Sequence, residues 1–115
     1  MRRLLVAMTG LMVVVSQPAW AADGARTYQL QCKTCHALAS SPMGPSLAGV
    51  AGRKIASLTN FTYSSALKAK GGTWTPVALD AFLTAPARFA PGTRMPTGVA
   101  NAADRAAVIA YLENF

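Results

Sequence analysis

The 115-residue sequence contains only one histidine, two cysteines and four acidic residues. A structural zinc site normally takes four Cys or His ligands, and this chain can supply only three. No apolar run is long enough to span a membrane, and no alternation of apolar and polar residues predicts a β-strand. Basic residues are not interleaved with aromatic ones, so nothing in the pattern indicates a nucleic-acid partner.

The amino terminus has the form of a secretory signal peptide. The basic pair Arg2 and Arg3 precedes an apolar stretch from Leu4 to Val15, and Ala19-Trp20-Ala21 has the small residues of a cleavage site. The stretch is too short for a membrane span, although an uncleaved anchor is the alternative. We expect residues 1–21 to be removed, with cleavage after Ala21 or Ala22.

Residues 22–115 are then one small domain, which we expect to be monomeric, periplasmic and without stable membrane insertion. The whole chain has a formal net charge of +7. Loss of Arg2 and Arg3 leaves nine basic residues against four acidic ones, a net charge of about +5 before any cofactor is counted. A basic surface favours partners with acidic docking surfaces, because opposite charges steer the encounter.

Both cysteines and the histidine lie in the run Cys32-Lys33-Thr34-Cys35-His36. This spacing is typical of c-type haem attachment, in which two thiols form thioethers with one porphyrin and the imidazole reaches the iron. A thioredoxin-like redox pair would need an alternating β/α context, which the sequence does not show. A Cys32–Cys35 disulfide would close a very small loop and leave His36 without a role. The run therefore predicts one haem c, held covalently through Cys32 and Cys35 and ligated by His36.

Helix signals predict an all-α domain with about four short helices and long irregular loops. The predicted helices are Gly24 to Thr34 after an Asp23 cap, Tyr63 to Lys70, Pro76 to Thr84 after a Thr75 cap, and a last helix capped by Asn101. The segments 37–60 and 87–100 lack periodicity. Long structureless loops are uncommon in compact domains, and wrapping a flat haem gives them a reason.

The iron needs a second ligand opposite His36 if it is to be six-coordinate, and a methionine thioether is a common choice. Two methionines follow the predicted cleavage site, Met43 and Met95. Met43 is only seven residues from His36, so its link would have to pass round the ring edge. Met95 is remote in sequence and lies in a stiff loop between Pro91 and Pro96, which favours it without excluding Met43.

Taken together, the ordered motifs of the chain resemble a class I cytochrome c of the small soluble mitochondrial and bacterial type. The resemblance covers nearly all of residues 22–115. Its motifs are Gly24 and Tyr28, Cys32 to His36, Gly44-Pro45-Ser46-Leu47, Gly52-Arg53-Lys54, Phe61-Thr62-Tyr63, Trp74, Pro91-Gly92-Thr93-Arg94-Met95 and Ile109-Ala110-Tyr111-Leu112.

The resemblance implies the cytochrome c fold, with Met95 as the second iron ligand. It also implies that His36 donates a hydrogen bond to the Pro45 carbonyl, which orients the imidazole. The remaining haem-binding residues that it implies, mainly around the propionates, are Arg53, Tyr63, Trp74 and Thr93. Gly24 and Tyr28 are expected where the first and last helices cross.

In this family the implied function is one-electron transfer between redox proteins by a soluble carrier, not catalysis. Lys33, Arg88 and Arg94 are candidates for a positive ring around the docking edge. The alternatives are a fixed cytochrome subunit of a larger oxidoreductase, or a haem enzyme or sensor with an open iron site. Two departures stand out, because Leu67 and Phe82 occupy positions where the family pattern usually has Asn and Tyr in a polar network.

Two further departures concern the edge of the haem and the chain around it. Thr97 replaces an aromatic residue, and the loop from His36 to Gly44 is shorter than in mitochondrial relatives. The partner-facing rim is therefore expected to differ from theirs.

Overall fold

A computed structural model describes residues 10–14 and 19–115 of the chain. Within them lie five α-helices and one π-helical segment: α1 (Ala19–Thr27), the π-helical segment (Tyr28–Cys32), α2 (Ser65–Lys70), α3 (Pro76–Thr84), α4 (Pro86–Phe89) and α5 (Ala102–Leu112). Extended backbone in these ranges pairs only in two isolated bridges, Ser41 with Gly44 and Lys54 with Thr73. The architecture is all-α with long loops, as predicted.

Side-chain caps begin three of the helices, two of them where the sequence indicates a start. The Thr75 hydroxyl accepts the Ala78 N–H at 3.1 Å, with Pro76 in the first helical turn, and the Asn101 carbonyl oxygen accepts the Asp104 N–H at 2.9 Å. The helix predicted from Tyr63 starts two residues later, at Ser65, because the Ser64 hydroxyl caps the Leu67 N–H at 3.2 Å. A capping side chain thus fixes the start of α2 better than apolar spacing does.

Two predictions of helix bounds are wrong. α1 begins at Ala19, so Asp23 lies inside the helix and does not cap it, because the alanine-rich run before Asp23 also favours helix. The predicted irregular segment 87–100 begins inside the short helix α4, a single turn that gives no visible periodicity. Most of the predicted leader lies outside the described residues, and the expected cleavage point falls within α1.

The first and last helices cross where the sequence predicted. A Cβ atom on Gly24 would collide with the Ala107 carbonyl oxygen and lie 2.8 Å from the Tyr111 Cβ, so only glycine permits this approach. The Tyr28 ring packs against Tyr111 and Phe115, with centroids 5.7 and 4.9 Å apart. This crossing anchors the segment that leads directly into the Cys32–His36 run.

One hydrophobic core joins the helices to the loops. Val108 on α5 is completely buried, and the buried aromatic members come from both loops and helices, for example Tyr63, Trp74 and Phe82. Arg105 on α5 pairs with Asp80 on α3 at 2.7 Å. None of the helices in the described part of the chain has the length and apolar character needed to span a bilayer.

Candidate haem site

The Cys32–His36 run forms a tight turn that continues from the π-helical segment. The Cys32 carbonyl oxygen accepts the N–H groups of Cys35 and His36 at 3.2 and 2.8 Å, and the Lys33 N–H donates to the Tyr28 carbonyl at 2.9 Å. Cys32 is half-buried against the core, whereas Cys35 is exposed. The turn therefore presents one thiol from the core side and one from the surface.

Cys32 and Cys35 are not joined by a disulfide. Burial raises the pKa of the Cys32 thiol to about 11, since an apolar environment disfavours the charged thiolate.

His36 is oriented by the carbonyl that the family resemblance implied. Its Nδ1 lies 2.9 Å from the Pro45 carbonyl oxygen. A carbonyl can only accept, so Nδ1 carries the proton and Nε2 keeps its lone pair for a metal. Gly44 packs against the same ring: a Cβ there would lie 2.6 Å from the Cys35 carbonyl oxygen and 3.1 Å from His36 Nδ1.

A further contact on His36 was not predicted. The Tyr28 hydroxyl donates to the His36 carbonyl oxygen at 2.8 Å. Burial, reinforced by the nearby Tyr111 and Cys32, raises the pKa of Tyr28, so the hydroxyl remains a donor at neutral pH. Tyr28 was expected only at the helix crossing. Nothing in the local sequence signals this bond, which depends on the π-helical turn that brings the ring back over the motif.

The two candidate methionines differ in environment. Met95 is half-buried and packs against the hydrophobic core, whereas Met43 is 68% exposed. The Thr93 hydroxyl accepts the Met95 N–H at 3.3 Å, a contact within the loop, and Gly92 has a left-handed φ of 95°. Thr93 thus contacts the backbone of Met95, and its hydroxyl hydrogen remains available to another acceptor.

Backbone pairing brings together two of the residues expected near the propionates, Arg53 and Trp74. The Trp74 N–H donates to the Arg53 carbonyl at 2.8 Å, and the Gly52 N–H donates to the Trp74 carbonyl at 2.8 Å. The Arg53 guanidinium donates to the carbonyls of Ala48 and Ser46 at 3.1 and 3.2 Å. Its Nε is buried and has no hydrogen-bond partner among residues 10–14 and 19–115.

Tyr63 and Trp74, the two aromatic residues expected near the propionates, are both buried in the core. The Tyr63 hydroxyl accepts the Leu58 N–H at 3.3 Å, which leaves its own hydrogen to donate. The Trp74 ring stacks on Phe89 with centroids 5.7 Å apart and an interplanar angle of 21°. Both residues therefore offer polar hydrogens from within an apolar cluster.

These features suit a covalently held haem. The Nε2 of His36 is free for iron, the soft sulfur of Met95 lies against the same core as Cys32, and the buried Nε of Arg53 lacks an acceptor that an anionic group would provide. Gly44 leaves room beside the imidazole that a Cβ would fill. When bound, haem c supplies an iron that gains and loses one electron.

Leu67 and Phe82, the two departures from the family pattern, are both buried core residues. The Phe82 ring packs against Trp74 and Phe89 with centroids 5.1 and 5.5 Å apart. Neither side chain has a polar atom, so these two side chains contribute packing to the core and no hydrogen bonds.

Comparisons with known proteins identify the family of the chain. A family model described as cytochrome c matches residues 21–115. The chain is 40% identical over 119 aligned positions to cytochrome c2 of Rhodomicrobium vannielii, covering 97% of this chain and 95% of that protein. It is 45% identical over 91 residues to the c-type cytochrome cy of Rhodobacter capsulatus, where the match covers 77% of this chain but only 46% of that longer protein.

A solved structure is similar as well. Cytochrome cH from Methylobacterium extorquens superposes with a TM-score of 0.74 at 35% sequence identity, covering 80% of this chain and 95% of that one. Together these matches confirm the predicted family, the cytochrome c fold and covalently attached haem c as the cofactor.

Proposed function

The chain belongs to the cytochrome c family, and from that premise we propose that the protein is a periplasmic one-electron carrier. Residues 21–115 form an electron-transfer domain with covalent haem c, not an enzyme. In this proposal Cys32 and Cys35 hold the haem, and His36 and Met95 are the two axial ligands. One observation carries the proposal: His36 is oriented by Pro45 with its Nε2 free, while Met95 packs on the core that Cys32 also contacts.

Two filled axial positions suit a carrier, because they close the iron to exogenous molecules and require little rearrangement between oxidation states. Around this centre, Arg53, Tyr63, Trp74 and Thr93 supply donors for the propionates, since buried charge needs partners. The orphaned Nε of Arg53 and the unused hydroxyl hydrogens of Tyr63 and Thr93 support that assignment.

The charge distribution supports acidic redox partners. All four acidic residues lie on α1, α3 and α5 or just beyond the end of α5. Residues 24–79, which include the haem-attachment motif, contain six basic residues and no acidic one. Exposed Lys33 lies within the motif, beside exposed Cys35, so a partner that approaches there meets positive charge.

The coordination is tested on the ferric holoprotein. We expect the weak red-edge absorption band of iron–thioether coordination in the wild type, its loss in Met95→Ala, and its retention in Met43→Ala. A band that survives Met95→Ala would show that Met95 is not the ligand. Mass spectrometry of the purified chain, matured with a working attachment apparatus, should show one added haem, and Cys32→Ala should remove one of its two thioether links.

The cellular location of the protein and the charge of its docking face are tested separately. Cell fractionation should place the holoprotein in the periplasm, with a chain that begins at Ala22 or Asp23; a chain that retains residues 1–21 would contradict the leader. The rate of oxidation by anionic hexacyanoferrate should fall with ionic strength, whereas the rate with a cationic cobalt complex should rise. The opposite pair of salt dependences would contradict basic docking.

A further inference from the structure

The loop that carries Met95 has few attachments to the rest of the chain. Between Ala90 and Val99, the Thr93 N–H bonds to the Ala90 carbonyl at 2.9 Å and the Met95 N–H to the Thr93 hydroxyl at 3.3 Å. Both bonds are local. Within residues 10–14 and 19–115, the hydrogen bonds that tie positions 91–98 to distant segments all come from one side chain, Arg94.

Arg94 uses both terminal nitrogens of its guanidinium group for this attachment. Nη1 donates to the Thr62 carbonyl at 2.7 Å and Nη2 to the Pro42 carbonyl at 3.3 Å, across 32 and 52 residues of sequence. The guanidinium carbon lies 5.5 Å from the centroid of the Phe61 ring, within the range of a cation–π contact. Three separate chain segments thus meet at the residue that precedes Met95.

We propose that Arg94 is a positioning residue for the thioether ligand: it clamps the Met95 loop to the segments at Pro42 and Thr62 and so limits release of the methionine from the iron. This inference rests on the proposed ligation by Met95. The clamp is specific to arginine, because a planar guanidinium can reach two carbonyls and lie over a ring at once, which a point charge cannot do.

When the Met95 loop moves, its other contacts do not take over from the Arg94 clamp. Pro91 and Pro96 stiffen the loop locally, but neither makes a hydrogen bond to another segment of the described chain. The side chain of Met95 packs on the core, and that packing is lost when the thioether swings away. Without Arg94, no hydrogen bond between positions 91–98 and a distant segment of the described chain opposes the movement.

The test is the affinity of the ferric holoprotein for imidazole, which can bind the iron only after the thioether leaves. If Arg94 holds the loop, Arg94→Ala should bind imidazole about tenfold more tightly than the wild type, with loss of the red-edge band at correspondingly lower imidazole concentration. Arg94→Gln, which is neutral but keeps one amide donor, should lie between the two.

Two controls separate the clamp from charge and from general stability. Arg88→Ala removes the same charge from an exposed arginine on α4, and Tyr28→Phe removes a hydroxyl bond from the histidine side. Both should leave imidazole affinity within about twofold of the wild type, the range expected when thioether release is unaffected.

The outcomes are distinct. An unchanged imidazole affinity in Arg94→Ala, or an equal increase in Arg88→Ala, overturns the clamp while leaving Met95 ligation intact. A wild-type protein without the red-edge band overturns the ligation itself. If Arg94→Ala does not fold, Arg94→Gln decides the question, because an affinity equal to that of the wild type would also reject the clamp.

Discussion

The two axial sides of the proposed haem site are held by contacts of different range. On the histidine side, His36 bonds to Tyr28 and Pro45, which are eight and nine residues away. On the methionine side, the loop around Met95 is tied down through Arg94 to carbonyls 32 and 52 residues away. Local contacts form together with the turn that contains them, whereas long-range contacts depend on the rest of the fold. We therefore expect the methionine side to release first when the protein is stressed.

The strongest test of this difference is Gly44→Ala. The added methyl would lie 2.6 Å from the Cys35 carbonyl oxygen and 3.1 Å from His36 Nδ1, so the backbone or the imidazole must move. We expect a loss of about 2–3 kcal/mol in the free energy of unfolding of the holoprotein, measured with guanidinium chloride.

Gly49→Ala is the matched control for Gly44→Ala. Gly49 has a φ of 69°, and a methyl group added there would have no atom within 4 Å, so alanine adds backbone strain alone, about 1 kcal/mol. If Gly44→Ala cost no more than Gly49→Ala, the close packing against the imidazole would be unimportant for stability.

Gly92→Ala probes the methionine side. The φ of 95° is strained for any residue with a Cβ, and the nearest atom to an added methyl is the Ala66 Cβ at 3.9 Å, an ordinary contact. We expect a cost of about 1–2 kcal/mol, concentrated in the loop that carries Met95. Imidazole affinity should therefore rise several-fold, while Gly49→Ala leaves it unchanged. A loss of unfolding free energy in Gly92→Ala without any rise in imidazole affinity would contradict the separation of the two sides.

Tyr28→Phe should have a smaller effect on the histidine side. The variant keeps the aromatic packing with Tyr111 and Phe115 but loses the hydroxyl bond to the His36 carbonyl. The expected cost is about 1 kcal/mol in unfolding free energy. Tyr111→Phe is the control, since the Tyr111 hydroxyl makes no hydrogen bond within the described ranges. Equal losses of unfolding free energy in the two variants would argue against the role of the Tyr28 bond.

The smallest expected change in stability is at Ala56, which lies on neither axial side of the site. Ala56 is the only non-glycine residue with positive φ among the described residues, at 56°. Ala56→Gly relieves that strain but increases the freedom of the unfolded chain, so we expect a net stabilisation of about 0.5 kcal/mol. Thermal unfolding monitored by circular dichroism measures it, and imidazole affinity should not change. A destabilised variant would show that the side chain of Ala56 contributes packing that outweighs its strain.

Much of the fold could be predicted because its signals are local. Thr75 and Asn101 cap helices where the sequence indicated. The crossing at Gly24 was implied by the family resemblance, and the structure places Gly24 there. The wrong bounds arose where a local signal was ambiguous or absent. Alanine before Asp23 extends α1, and a single turn at α4 is too short to show periodicity.

Predictions about the candidate site also divide into those that have a local sequence signal and those that have none. The spacing of Cys32, Cys35 and His36 predicts haem attachment because the chemistry requires those groups on one turn. The position of Met95 in a stiff loop favoured it over Met43 without excluding Met43, and the family resemblance implied Met95 as the ligand. That ligation stays a prediction, which burial of the Met95 side chain supports. The hydrogen bonds of Tyr28 and Arg94 gave no sequence signal, because both side chains donate to backbone carbonyls and every residue has one.

By itself, the sequence determined which cofactor the chain carries, how that cofactor is attached and where α3 and α5 begin, because short-range stereochemistry and capping decide these features. Only the tertiary structure decided how each proposed ligand is held. The hydrogen bonds of His36 and the attachment of the Met95 loop through Arg94 join groups that the fold brings together, and their strength depends on distances that no linear pattern encodes.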